Sequence, residues 1–300
     1  MSSPQEILTR NILPYWMSLR DPIQGGFYAQ VRGDETVVQD APRGVILYAR
    51  IMWAFSAAYR VLQVPEYLES AQTAKAYIEA HMLHTNLSIA EQAYLLYAYA
   101  EYGRATSQSE IPLTLPLPIT DSAELNMHIM EAYSNLYRLS PLPEHKQRLQ
   151  DLVNFFCQLT TVPTELNAGH CIECVWLLDE AAALVGMNAD TTIHMLAKAA
   201  DEGINSDGTL DDREWWKQAE AVIGYDHLYH RFGDKKAQQK ARRFLKIIRT
   251  RYIDYEHGEW FWLLRPDGTP DLSKDKVSLW KCPYHNTRLC LYLIATKAIR

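Results

Sequence analysis

Apolar and aromatic residues recur every three to four positions along almost the whole chain, whereas the strict alternation of a half-buried strand is scarce. The pattern predicts an all-α protein with helices over 5–18, 44–62, 66–83, 88–104, 121–139, 143–160, 170–186, 190–204, 211–232, 236–251 and 286–299. Six of these windows share a style in which small residues interleave with aromatics: ARIMWAFSAAYRVLQ, YLLYAYAEYGRATS, IMEAYSNLYRLS, VWLLDEAAALVG, AVIGYDHLYHRFGD and TRLCLYLIATKA. They recur at the spacing of a helical-hairpin repeat, in which each pair buries its apolar face against its neighbours. The windows between them, such as AKAYIEAHML and KARRFLKIIRTRY, carry charge on one face and suit an outer layer in water. Six inner helices and their partners imply an (α/α)6 barrel formed by one domain over 1–300. One outer helix is expected to be missing, because 105–120 is rich in proline and polar residues where it would fall.

Composition narrows the functional classes. With 48% hydrophobic and 22% charged residues, the chain can build a sizeable core. A formal net charge of −6 offers no basic surface for a phosphate backbone, so nucleic acid is not an expected partner. The first residues lack the order of a signal peptide and no uninterrupted apolar run reaches about 18 residues, which makes a membrane partner unexpected and a cytoplasmic location the expectation. Cys157, Cys171, Cys174, Cys282 and Cys290 are expected as reduced thiols. Cys171 and Cys174 lie beside His170, but no second cysteine pair follows at zinc-ligand spacing, and neither metal nor cofactor is expected.

Five clusters could carry chemistry. In GVILYARIMW, Arg50 interrupts an apolar face, where a guanidinium needs either an ion-pair partner or the oxygens of a bound sugar. ELNMHIMEAY sets His128 and Glu131 three apart, so the carboxylate can orient the imidazole, although a lone histidine in this setting is more often a satisfied core residue. GHCIECVWLLDEAA repeats that spacing with His170 and Glu173, whose charge could also serve the helix N-terminus. REWWKQAEAVIGY places Trp215 and Trp216 near Gln218 and Glu220, which makes either a sugar platform or plain core. SLWKCPYHNTRLC concentrates Trp280, Lys281, Tyr284, His285, Asn286 and Arg288, a polar and aromatic density that goes beyond capping.

These segments, with NILPYW, GGFY, EWFW and WKCPYHN in the same order, resemble the N-acylglucosamine 2-epimerase superfamily and, within it, the cellobiose 2-epimerase branch in a shortened variant. The resemblance covers nearly the whole chain outside about 84–121. It implies an (α/α)6 barrel and metal-free epimerisation at C2 of a reducing-end sugar through an enediol. His170 and His285 match the acid/base pair, and His128 the histidine of ring handling or proton relay. Arg50 would polarise the carbonyl oxygen, Glu173 would orient a histidine or bind a hydroxyl, and Trp216, Glu220, Trp280 and Asn126 match sugar-binding positions.

The chain departs from the family at three points. Ala90 stands where a sugar-contacting tyrosine is usual, Glu124 replaces an asparagine, and Cys171 replaces an aspartate. The loops that cover the cleft are also expected to be shortened. The expected activity is interconversion of glucose- and mannose-type reducing ends of a mono- or disaccharide. An aldose–ketose isomerase on the same site, a glycoside hydrolase or lyase with paired carboxylates, and a non-catalytic sugar-binding homologue are the competing expectations.

Overall fold

The computed structural model describes residues 2–296, and each predicted window contains a helix. The far end of the last window, 297–299, lies outside the described residues. At the N-terminus α1 (Pro4–Ile7) passes through a π-helical turn (Leu8–Ile12) into α2 (Leu13–Ser18). The chain continues with α3 (Val45–Leu62), α4 (Pro65–His81), α5 (Ile89–Thr106), α6 (Ala123–Leu139), α7 (Pro143–Cys157) and α8 (Ala168–Val185). It ends with α9 (Asp190–Glu202), α10 (Trp215–Phe232), α11 (Lys235–Ile247) and α12 (Tyr284–Thr296), a second π-helical turn (Ile248–Tyr252) following α11. Among the described residues extended pairing is confined to isolated bridges.

Helices α3, α5, α6, α8, α10 and α12 pack side by side in that order, and α12 returns to α3, which closes a ring. Outside it α4 backs α3, α7 backs α6, α9 backs α8, α11 backs α10, and the N-terminal helix backs α12. This is the predicted (α/α)6 barrel. The inner helices are apolar nearly all round because both their faces are covered. Helix α3 has the length and a hydropathy of 1.3 that could cross a membrane, yet 72% of it is buried as a wall of the ring. Outer helix α11 instead buries one stripe, Ala237, Ala241, Phe244 and Leu245, and turns lysines and arginines to water.

Local sequence fixes the helix ends. Ser88 and Glu91 form a reciprocal capping box at α5, Ser122 caps α6, Asn167 caps α8, and Pro65 and Pro143 open α4 and α7 where a missing N–H costs nothing. Gly186 and Gly233 end α8 and α10 in the left-handed conformation that glycine adopts without strain.

Among the described residues no outer helix stands between α5 and α6. Between these two the chain runs as an irregular strap through Pro112, Pro116 and Pro118. The strap is tied to α6 by the Leu117 N–H donating to the Tyr133 hydroxyl (3.0 Å) and by Asn126, whose amide accepts from the Thr120 N–H (2.9 Å) and donates to the Thr120 carbonyl (2.8 Å). Helix α10 starts at Trp215 instead of 211, because Asp211 and Arg213 adopt positive φ in the turn before it.

Candidate active site

Because an outer helix or, between α5 and α6, the strap returns the chain after each inner helix, all six inner helices run in the same direction and their N-terminal turns meet at one end of the ring. The first turns of α8 and α12 carry His170 and His285, and the first turn of α10 carries Trp216. Arg50, Tyr94 and His128 lie within the first two turns of α3, α5 and α6. These side chains line one cavity of about 270 Å³, together with Glu124, Glu173, Glu214, Trp215, Trp262 and Trp280. The size sits at the small end of ordinary ligand pockets. The positive ends of the inner helix dipoles point toward it and favour negative charge developing inside.

The three histidines predicted from sequence therefore converge. The ring of Trp216 lies 5.0 Å from that of His170 and 5.4 Å from that of His285, so the indole stands against both imidazoles. Nδ1 of His285 contacts Glu220 Oε1 at 2.8 Å, which leaves Nε2 as the free nitrogen. His128 faces Glu131 at 3.5 Å, an ion-pair distance without a formed hydrogen bond, and its ring packs 4.9 Å from Tyr94. The Nδ1 of His170 is likewise buried without a hydrogen-bond partner, and its Nε2 faces Glu124 at 3.7 Å.

Behind the cavity floor Arg288 gathers carboxylates from three helices. It pairs with Glu131 and Glu173, and with Glu220 at 2.7 Å, while Tyr284 donates to Glu131. Burial raises the pKa of Glu173 and Glu220, and like charge from Glu220 adds to the shift at Glu173. Against the burial that would raise it, Glu131 is drawn down to about 2 by Arg288 and His128. Burial, with Arg288 and Arg50 nearby, holds His285 well below the ordinary imidazole value against the pull of Glu173. Burial and the positive charges of His128, Lys217 and Arg50 push His170 down to about 3. Glu173, Glu220 and His285 lie close enough to share a cation, but Arg288 already places its charge among those carboxylates.

Arg50 is not an ordinary ion pair. Its Nη2 donates to the Tyr94 hydroxyl (3.1 Å), and its guanidinium lies over the rings of Tyr94, Tyr284 and Trp280. Its Nη1 also donates to the Cys282 Sγ (3.9 Å), and among the described residues no carboxylate pairs with it, so it faces the cavity as a cation able to receive an oxygen. Trp280 stays 53% exposed at the mouth. Glu214 accepts from the indoles of Trp216 (2.8 Å) and Trp262 (3.1 Å), which fixes that wall.

Two expected sugar contacts sit elsewhere. Asn126 is fully buried and holds the strap, because two positions along a helix turn the side chain almost to the opposite face from His128. Glu220 lies one turn deeper than Trp216, behind His285, and its other oxygen accepts from the Trp176 indole at 3.1 Å. Sequence reasoning passed over Tyr94, Glu214, Trp262 and the bridging role of Arg288. For Tyr94 a signal existed, since it lies on the same face as Ala90, one turn further along α5.

Comparison with known proteins places the chain in a family. The family model of N-acylglucosamine 2-epimerase (GlcNAc 2-epimerase) matches residues 160–287, the segment that carries His170, Trp216 and His285. A cellobiose 2-epimerase of Bacteroides fragilis is 32% identical over 97% of this chain and 97% of its own length. The chain belongs to the N-acylglucosamine 2-epimerase family. That alignment extends over 381 residues against the 300 of this chain, so the relative carries insertions absent here. The solved cellobiose 2-epimerase of Bacillus thermoamylovorans B4167 superposes with a TM-score of 0.86 at 28% identity, covering 98% of each chain. A D-mannose isomerase structure superposes at 0.84 with 17% identity, over 98% of this chain and 97% of its own, a likeness of fold.

Proposed function

We propose that this family member is a sugar 2-epimerase that interconverts glucose- and mannose-type reducing ends by moving a proton at C2 through an enediol. The reading is carried by the convergence of His128, His170 and His285 with Arg50 on a single cavity. A proton beside a carbonyl is acidic enough for a neutral imidazole to remove when the developing oxyanion is stabilised. Arg50 and the Tyr94 hydroxyl supply that stabilisation, aided by the helix N-termini. Inversion needs a second proton carrier on the other face of the carbon, and His170 and His285 form the pair. His128, beside Glu131, assists ring opening.

The carboxylates support this chemistry over glycoside hydrolysis, which needs two of them free at the scissile bond. Glu173 is bound to Arg288, and both oxygens of Glu214 accept indole N–H groups. Glu124, Glu173 and Glu214 line the cavity with Arg50 as its principal cation, which favours uncharged sugars over phosphorylated or acidic ones. Incubation with mannose, glucose and cellobiose in D2O, followed by NMR, tests the proposal. Deuterium at C2 with appearance of the epimer is expected from at least one sugar. A ketose product would reassign the chain to aldose–ketose isomerisation, and binding without any exchange would leave a sugar-binding protein.

A further inference from the structure

We propose that Glu124 is the carboxylate through which His170 exchanges its proton with bulk water between turnovers. The inference rests on the two-histidine reading above. In one turnover the first imidazole takes a proton from C2 and the second gives one to the opposite face. The sugar leaves with as many hydrogens as it brought, but the two imidazoles have swapped protonation states. Before another turnover in the same direction, one must lose a proton and the other regain one, which for His285 means exchange across the cavity it lines once the sugar has left.

The two histidines are placed differently for that reset. His285 is backed by Glu220, which is fully buried and bound to Trp176 and Arg288, so its carboxylate has no contact with water. His170 has one usable ring nitrogen, because Nδ1 is enclosed without a partner. The usable Nε2 lies 3.7 Å from Glu124 Oε1, and the Glu124 side chain is 46% exposed at the cavity rim. A proton leaving Nε2 therefore meets a carboxylate with one side toward the imidazole and the other toward solvent. The spacing leaves room for one short side-chain movement to complete the transfer, after which water takes the proton from Glu124.

The charges around His170 give the relay its purpose. His128 and Glu124 face it from α6, Lys217 from α10 and Arg50 from α3. Three of these four groups disfavour an imidazolium, and burial adds to them, so a protonated His170 is a strong acid in need of a nearby acceptor. Glu124 acts through His170 and does not touch the reacting carbon, which makes it a positioning residue.

The test is steady-state turnover of the full chain and its Glu124→Gln variant in D2O and H2O, with added formate. Because water bypasses part of the route, kcat is expected to fall on the order of ten-fold, less than the ~10²–10⁴ of a group at the reacting atom. KM is expected to change less than kcat, since the carboxamide keeps the size and hydrogen-bonding reach of the carboxylate on the cavity wall. Formate should restore kcat of the variant in proportion to its concentration and leave the parent unchanged, and Glu124→Asp should retain an intermediate rate. Unchanged kcat in Glu124→Gln, or a loss that formate does not restore, overturns the relay. If the parent itself exchanges no deuterium into any sugar, the epimerase reading fails instead.

Discussion

Two buried clusters of opposite charge lie close together in this barrel and are built on different balances. Around Glu259 one carboxylate meets one ammonium: Lys281 at 2.6 Å, with Asn286 (2.6 Å) and the Trp260 N–H (3.0 Å) on the same oxygen and the Trp16 indole (2.6 Å) on the other. Both carboxylate oxygens are engaged and the charges cancel. Around Arg288 one guanidinium meets Glu131, Glu173 and Glu220, with His285 beside them. Negative charge is in excess, and burial raises two of the three acids instead of leaving them ordinary. The first cluster is a closed structural joint between the N-terminal helix and the last loop. The second sets one cation among three carboxylates, two of them with a raised pKa, which is the kind of perturbed cluster that gathers at functional sites.

The largest effect that would break this contrast is on turnover. His285→Ala is expected to lower kcat by ~10²–10⁴ while leaving the helical fold intact, as measured by C2 exchange and circular dichroism. Lys281→Met, by contrast, should leave the rate per folded molecule nearly unchanged. A residual rate in His285→Ala close to that of the parent would remove the chemical role of the second cluster.

Stability gives the next test. Lys281→Met strands a buried carboxylate and should cost about 3–5 kcal/mol in denaturant unfolding, and Glu259→Gln in the same chain should recover most of the loss. Arg288→Met should cost a similar amount, but no single glutamate-to-glutamine change should recover it, because three carboxylates share the lost cation. Full recovery by one such change would show that the second cluster is also a simple pair.

The smallest effect is in the pH profile. His170 and His285 both sit below the ordinary imidazole value, so their basic forms persist as pH falls. The acidic limb of kcat/KM is therefore expected below about pH 6.5, the unperturbed imidazole value. An acidic limb centred at or above that value would show that the charges around the histidines act differently from this account.

Most of the fold was legible in sequence because it rests on periodicity. The small-and-aromatic style of the inner helices reports faces covered on both sides, and the prolines of 105–120 announce the missing outer helix. The histidines were legible because they stand in dense polar runs at helix starts. What escaped depends on geometry across the ring. Arg288 meets Glu131 and Glu173 from 157 and 115 positions away, and nothing local in TRLC marks a guanidinium shared by three helices. Asn126 was misplaced for the reverse reason: its sequence neighbour His128 is in the cavity, but helical twist turns Asn126 to the strap. Glu124, four positions before His128 on the same face, does reach the cavity.

The central claim is that His170 and His285 attend the same carbon from two sides. A crystal structure of the protein with a linear hexitol in the cavity tests it most directly. The account predicts C2 held about 3–3.5 Å from an imidazole nitrogen of each histidine, with an adjacent hydroxyl on Arg50. A hexitol bound with C2 beside only one imidazole, or seated away from Arg50, would contradict it.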